Sequence, residues 1–264
     1  MTPRLGKRLP IRRATPDERL SVVEHLTELR NRIIIALGVL AIAFVVAYVF
    51  REQLLNVLKR PLPEDQRKLS TFSPHEAFFT TIKVCASAAL IGALPVCLYQ
   101  AYAFVVPAVS DQPRRTVLIA VGFASGLFLA GVAFGYFVVL PVALKFLLSF
   151  GGDAFVQQNR ASDYLGFATG MLLASGLLFE IPVGMVVLAR LGVVSPARFK
   201  SSRRYAIVVI AVLAALLPGG DPISMLLLMV PQMVLYEFGI VVASFSVRRR
   251  EASASAEPTS SSSA

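Results

Sequence analysis

Six long apolar runs constrain the fold of this chain more than any other feature of its sequence. A helix that crosses a hydrocarbon core of roughly 30 Å needs about 20 apolar residues, and four of the runs are long enough. Only 16% of the residues are charged, against about 25% in a soluble domain. The sequence therefore predicts an all-α polytopic membrane protein. The runs are Ile33–Phe50, Val84–Val109, Thr116–Leu144, Tyr164–Leu191, Tyr205–Leu217 and Ile223–Phe245.

The distribution of basic residues predicts the orientation in the membrane. Most of the 26 lysines and arginines precede the first run, follow the last one, or lie in the second and fourth connections. Cytoplasmic segments carry an excess of Lys and Arg. We therefore expect six spans with both termini in the cytoplasm. The net charge of +10 is explained by this topology, so we expect no nucleic-acid partner.

The fifth and sixth runs are unusual. Tyr205–Leu217 would form only about 20 Å of helix, and the sixth run is interrupted by Pro231 and Glu237. The two runs could form a re-entrant pair or a short spanning hairpin that thins the bilayer locally. We favour the hairpin and therefore predict short fifth and sixth helices.

The chain divides into three segments. Residues 1–20 form a basic cytoplasmic segment, 21–247 a membrane domain, and 248–264 a disordered cytoplasmic tail with too little apolar content to fold. Arg51–Ala77 is the longest connection, and we expect it to form an ordered external cap anchored by "SPHEAFF" (73–79).

The stretch "SVVEHLTELRNR" (21–32) predicts a helix at the membrane surface. Ser21 and Glu24 form a capping box, which places the helix start at Val22. Glu28 lies one turn after Glu24 and one turn before Arg32. On the residues alone, this is either a solvated amphipathic helix with a weak ion pair or a functional site. The apolar stripe of the helix is formed by Leu26, Leu29 and Ile33.

Three other carboxylates lie in or beside apolar runs. Glu180 is followed by Pro182, which should kink its helix, and a carboxylate at such a depth usually faces a cavity or a partner. The alternative is a protonated carboxyl group that is hydrogen-bonded inside the bundle. We expect Glu237 to reach the cytoplasmic interface and Asp221 to make local turn contacts.

Enzyme chemistry has no support in the sequence. The motifs HExxH, GxSxG, GxGxxG and the P-loop are missing. His25 and His75 should lie on opposite sides of the membrane, and Cys85 and Cys97 are not spaced as metal ligands. We therefore expect no catalytic site, no metal and no cofactor.

Seven motifs follow one another in a fixed order over roughly residues 20 to 245. They are "HLTELRNR" (25–32), "RPL" (60–62), "SPHEAFFTTIK" (73–83), "PVCLYQAYAFVVPAV" (95–109), "FGYFVVLPVALKF" (134–146), "FEIPV" (179–183) and "YEFG" (236–239). This series resembles the TatC family, the receptor subunits of the twin-arginine protein translocase. One motif could match by chance, but the ordered series is specific.

This resemblance implies six helices in a concave bundle in the cell membrane, with both termini cytoplasmic. It implies binding of twin-arginine signal peptides of folded cargo and assembly with single-span TatA and TatB subunits and with further copies of the chain. Transport would be driven by the proton motive force. The alternative is a proton-coupled secondary transporter for a small solute that uses Glu180, but the internal repeats typical of that class are not visible.

The resemblance also implies which residues bind the signal peptide, because the carboxylates of the family meet its paired arginines. The second glutamate of the family falls on Pro113 in this chain, so Asp111 or Glu24 is expected to replace it. Pro61 and Phe104 are further candidates in the matching motifs, beside Asp221 and Glu237. The expected peptide-binding residues are Leu26, Glu28, Leu29, Arg30, Asp111, Arg114 and Arg115.

Overall fold

The structure, a computed structural model, describes residues 22–105, 114–150, 159–216 and 221–255. These ranges are helical almost throughout and contain no β-strand, only one isolated bridge between Ser70 and Arg160. The α-helices are α1 (Val22–Val49), α2 (Arg51–Lys59), α3 (Pro74–Val105), α4 (Arg114–Phe134), α5 (Leu140–Phe150), α6 (Ala161–Phe179), α7 (Ile181–Arg190), α8 (Pro196–Ser201), α9 (Arg203–Ala215) and α10 (Pro222–Ser255). A 3-10 helix covers Glu64–Gln66, and a π-helical turn covers Gly135–Val139.

Five segments in the described ranges are long and apolar enough to cross a membrane, which confirms the prediction of a polytopic helical membrane protein. Two of these segments each contain two consecutive α-helices. The π turn connects α4 to α5, and a break at Glu180 separates α6 from α7. The five segments are His25–Val49, Pro74–Phe104, Val117–Phe150, Ala161–Arg190 and Pro222–Val247.

The last two predicted spans differ from each other. Helix α9 has 13 residues, about 20 Å, so the fifth helix is short as predicted. Helix α10 has 34 residues and contains Pro231, so the prediction of a short sixth helix was wrong. A proline is tolerated inside a membrane helix because neighbouring groups can satisfy the backbone it leaves unpaired. The helix continues to Ser255, so the tail boundary predicted at residue 248 lies inside it. The Arg, Glu and Ala residues after position 247 favour helix.

The external cap is ordered, and it is anchored by buried leucines and by Glu76 of the "SPHEAFF" motif rather than by the two phenylalanines of that motif. Leu58 and Leu62 are buried, and Tyr164 Oη donates to the Leu58 carbonyl at 2.5 Å. Phe78 and Phe79 of the "SPHEAFF" motif are each 56% exposed. They belong to the first turns of α3 and are not buried in the cap.

A buried carboxylate fastens the start of α3 to the start of α6. Glu76 Oε1 accepts hydrogen bonds from Arg160 Nε at 2.9 Å and from the Ser162 backbone at 3.3 Å. Its Oε2 accepts from the Phe72 backbone at 2.9 Å. The hydrogen bond and charge of Glu76 raise the pKa of the Arg160 guanidinium above its ordinary value, so this group stays charged. Removing Arg160 would leave a buried carboxylate without its counter-ion, which is costly.

Two glycines let α4 and the π turn that follows it approach α6 closely. A Cβ at Gly131 would lie 2.7 Å from the Ser175 carbonyl oxygen, and one at Gly135 would lie 2.8 Å from Ser175 Oγ. Gly122 and Gly126 have nothing within 4 Å of the same position. The second GxxxG pair of this span therefore packs the bundle internally, as small residues do between membrane helices.

This packing predicts unequal effects for two similar substitutions. Gly131→Ala should lower the free energy of unfolding by about 1–3 kcal/mol, because the added methyl group meets backbone that cannot move aside easily. Gly126→Ala on the same helix is the matched control and should cost nothing. Denaturant unfolding of the purified proteins in one detergent provides the comparison. Equal stabilities of the two variants would contradict the close contact.

Candidate functional site

The first turns of α1 rest on the last turns of α3. The His25 and Phe104 rings are stacked, with centroids 4.3 Å apart and planes 16° apart. One helical turn after Glu28, Arg32 Nη1 donates to Gln100 Oε1 at 3.2 Å. These contacts fix the direction in which the start of α1 projects.

Glu28 lies between these two contacts and makes the ion pair expected from the i,i+4 spacing. Arg32 Nε and Nη2 both donate to Glu28 Oε1, at 2.9 and 2.5 Å. Within the described part of the chain, Oε2 of Glu28 accepts no hydrogen bond, and the side chain is 29% exposed. A half-open carboxylate with one uncommitted oxygen can accept a second guanidinium.

The surroundings of Glu28 combine apolar and charged groups. Leu26 is 59% exposed, Arg30 is exposed, and Leu29 is half-buried. The Glu28 carboxylate and the exposed Leu26 side chain therefore offer an anionic and an apolar group on this helix, with the Arg30 cation beside them.

The other expected peptide-binding residues are only partly placed by the structure. Asp111 and Pro113 lie outside the described residues. Arg114 and Arg115 begin α4, and Glu24 lies in the first turn of α1, but the side chains of these three fall outside the described part. Pro61 follows α2 at the opposite end of the bundle from Glu28. It is therefore not part of the cluster that contains Phe104.

Glu180 occupies the break between α6 and α7. Its Oε1 is buried and has no hydrogen-bond partner among the described residues. Pro182 has no N–H to donate to the Leu178 carbonyl, which would be its partner in a continuous helix. The side chain of Gln232 on α10 replaces this donor, with Nε2 2.8 Å from that carbonyl oxygen.

Gln232 is a structural residue that the sequence reasoning missed. It is 1% exposed and ties α10 to the break at Glu180. The sequence did indicate a role for Gln232, because it is a polar residue directly after Pro231 in an apolar run. Such a residue needs a partner inside the membrane.

The remaining two carboxylates have local partners. Arg203 Nη2 of α9 donates to Glu237 Oε2 of α10 at 2.7 Å, and both side chains are about half exposed. Asp221 caps α10, because its oxygens accept from Ser224 N at 2.8 Å and Ser224 Oγ at 2.6 Å. The turn contacts expected of Asp221 are thus present, and Glu237 joins two helices at the end where Glu28 lies.

Among the described residues, His, Cys, Asp and Glu form no group of three or more that could hold a metal ion. The polar groups in these ranges form helix caps, ion pairs and hydrogen bonds between helices, and in the Glu28–Arg32 pair one carboxylate oxygen accepts nothing from the described residues. The described residues therefore define a polytopic helical membrane protein.

Comparison with known proteins gives the family. The model for TatC, the Sec-independent protein translocase protein, matches residues 24–231. The chain is 38% identical over 231 residues to the Sec-independent protein translocase protein TatC of Desulforapulum autotrophicum, which covers 86% of this chain and 85% of that protein. The protein of the same name from Carboxydothermus hydrogenoformans is 36% identical over 230 residues, with 87% and 95% covered.

A solved structure agrees with these relatives. The crystal structure of the twin-arginine translocase receptor TatC matches with a TM-score of 0.74 and 33% identity, covering 85% of this chain and 100% of that chain. The chain belongs to the TatC family of Sec-independent protein translocase proteins. It is therefore a multi-pass membrane protein of protein transport, and this supports the translocase prediction over a solute transporter that uses Glu180.

Proposed function

We propose that this chain is the receptor subunit that binds the twin-arginine signal peptides of folded precursor proteins, at the start of α1. The observation that carries the proposal is the half-open carboxylate of Glu28, whose Oε1 is held by Arg32 while Oε2 accepts nothing from the described residues. One arginine of the signal would bind Oε2, and Arg32 would keep the carboxylate oriented. Exposed Leu26 would contact apolar residues of the peptide.

The proposed orientation places this site in the cytoplasm. The start of α1 and the Arg203–Glu237 pair lie at the end of the bundle that carries the excess of Lys and Arg. Precursors fold in the cytoplasm, so a receptor must present its site there. The matching crystal structure is described as a translocase receptor, which supports the same role.

Assembly with TatA- and TatB-like single-span subunits, and with further copies of this chain, is the second part of the proposal. Of the α1 residues whose exposure is described, only Ala47 is buried. The apolar remainder of this span therefore faces lipid or another helix. Helices exchange lipid contacts for helix contacts at little cost, so a single-span partner could pack on such a surface. Transport through the assembly would be driven by the proton motive force.

Site-specific crosslinking tests the receptor function. A photoreactive side chain at Asn31, one turn from Glu28, leaves the carboxylate in place. It should crosslink to a precursor with a twin-arginine signal and much less to the same precursor with two lysines, since lysine lacks the bidentate fork. The same probe at Glu52, in α2 at the other end of the bundle, is the control position. Equal crosslinking of both precursors from Asn31 would contradict the proposal.

Asp111 is the proposed partner of the second arginine, because Pro113 cannot ionise. A charge-assisted hydrogen bond contributes roughly 1.5–3 kcal/mol, so Asp111→Asn should weaken precursor binding about tenfold or more. Pro113→Glu in that variant should restore much of the affinity. Precursor titrations in detergent at low and high salt measure both effects, because an exposed pair weakens with screening. Unchanged affinity at low salt would make Glu24 the next candidate.

A further inference from the structure

A cavity of about 270 Å³ opens between α4, α7 and α10, near the end of the bundle that contains Glu28. Most of its lining is aliphatic or aromatic, and three polar residues are grouped at one end. The cavity is distinct from the surface at the start of α1, since no residue from that helix lines it. The apolar lining is Ile119, Ala120, Phe123, Pro182, Val183, Val186, Val187, Phe238 and Val242.

The cavity opens toward hydrocarbon. Its wall residues Ile119, Phe123 and Phe238 belong to predicted spans and are 64%, 51% and 44% exposed. The rings of Phe123 and Phe238 contact each other in this wall, with centroids 6.5 Å apart and planes tilted by 36°. From Pro182 to Arg190 the wall extends about 12 Å along α7 at 1.5 Å per residue. This length is close to the roughly 15 Å depth of one leaflet of a 30 Å core.

The polar end of the cavity is built around Arg190. Its Nη1 donates to Tyr102 Oη at 3.3 Å and its Nη2 donates to Ser246 Oγ at 3.4 Å. Each hydroxyl accepts from the guanidinium and keeps its own O–H to donate. The three groups come from three helices, and each lies within two residues of the end of its span, where a lipid phosphate would lie. Guanidinium and hydroxyl donors together suit a phosphodiester.

We propose that this cavity binds an anionic phospholipid of the phosphatidylglycerol class from the cytoplasmic leaflet. One acyl chain would lie along α7, and the phosphate would bind Arg190, Tyr102 and Ser246. Basic pockets between membrane helices on the cytoplasmic side bind anionic headgroups in this way. A zwitterionic headgroup would bring its own cation toward Arg190. The proposal depends on the membrane location and not on peptide binding at Glu28.

Native mass spectrometry of the full-length protein in mild detergent tests this site. Phosphatidylglycerol and phosphatidylcholine with identical acyl chains are titrated in parallel. The wild type should bind phosphatidylglycerol at least about tenfold more tightly, and Arg190→Gln should remove most of that preference. Val186→Trp, which fills the cavity, should weaken both lipids. Leu188→Trp on the same helix is the matched control, because its side chain is exposed outside the cavity.

Two results would overturn the proposal. The first is equal binding of the two lipids by the wild type, or an unchanged preference in Arg190→Gln. Either result would show that Arg190 does not distinguish the two headgroups. The second is displacement of phosphatidylglycerol, one for one, by a twin-arginine signal peptide, which would assign the cavity to the peptide. If Val186→Trp does not fold, the Arg190→Gln comparison still decides between these outcomes.

Discussion

Glu28→Lys is expected to abolish binding of twin-arginine precursors while leaving the protein folded in the membrane. The variant replaces the acceptor of a charge-assisted pair with a cation beside Arg32, so an incoming guanidinium meets repulsion instead of a carboxylate. Breaking such a pair costs roughly 2–5 kcal/mol of binding free energy, or about thirtyfold to several thousandfold in affinity. The folding cost is smaller, because a half-exposed i,i+4 pair contributes only about 0.3–0.5 kcal/mol.

A graded series separates this role from a general charge effect. Glu28→Gln keeps one neutral acceptor and should fall between wild type and Glu28→Lys. Glu52→Lys makes the same charge reversal on an exposed residue at the other end of the bundle, and it should bind like wild type. Precursor affinities for the four proteins, measured at equal levels of folded protein, give the comparison. Wild-type affinity in Glu28→Lys would remove Glu28 from the site.

The start of α1 could be predicted because the signals there are local. The i,i+4 spacing gave the Glu28–Arg32 pair, and the predicted helix is present from Val22, the first described residue. Ser21 of the predicted capping box lies outside the described residues. Sequence spacing did not indicate that Arg32 also reaches Gln100 or that His25 stacks on Phe104. These partners lie about 70 to 80 positions away along the chain, and periodicity within one helix carries no information about them.

The errors in the prediction also arise because contacts between residues far apart in the sequence decide the structure. Pro231 was taken as an interruption of the sixth run, yet α10 continues through it. Local helix propensity treats a proline as a break because it lacks the N–H donor. In a membrane bundle, however, the helix continues if neighbouring groups can donate to the carbonyl that the proline leaves unpaired. The case of Pro182 shows this dependence, since Gln232 from another helix bonds the carbonyl that the proline leaves. The cavity at Arg190 likewise combines residues from four helices, so it emerges only from their packing.

Glu180→Leu is expected to reduce transport strongly without reducing the amount of folded protein. The carboxyl oxygen Oε1 of Glu180 is buried and lacks a partner among the described residues. An unsatisfied buried polar atom costs about 1–3 kcal/mol. Leucine should therefore leave the bundle as stable as before, or more stable. A residue that is unfavourable for the resting structure is better explained by a contact made during transport, with cargo or with a partner subunit.

Two control variants distinguish this explanation from a purely structural role. Ser125→Ala also removes a buried oxygen without a described partner, so it should leave the protein as stable as before or more stable, with transport unchanged. Gln232→Leu removes the hydrogen bond to the Leu178 carbonyl and should lower stability, because that carbonyl loses its donor. Export of a twin-arginine reporter, normalised to the level of folded protein, separates the three variants. If Glu180→Leu exports the reporter at the wild-type rate, the carboxyl group serves only the packing at the helix break. If transport is lost at normal protein levels, the break between α6 and α7 is where the bundle meets a polar group that the isolated chain does not contain.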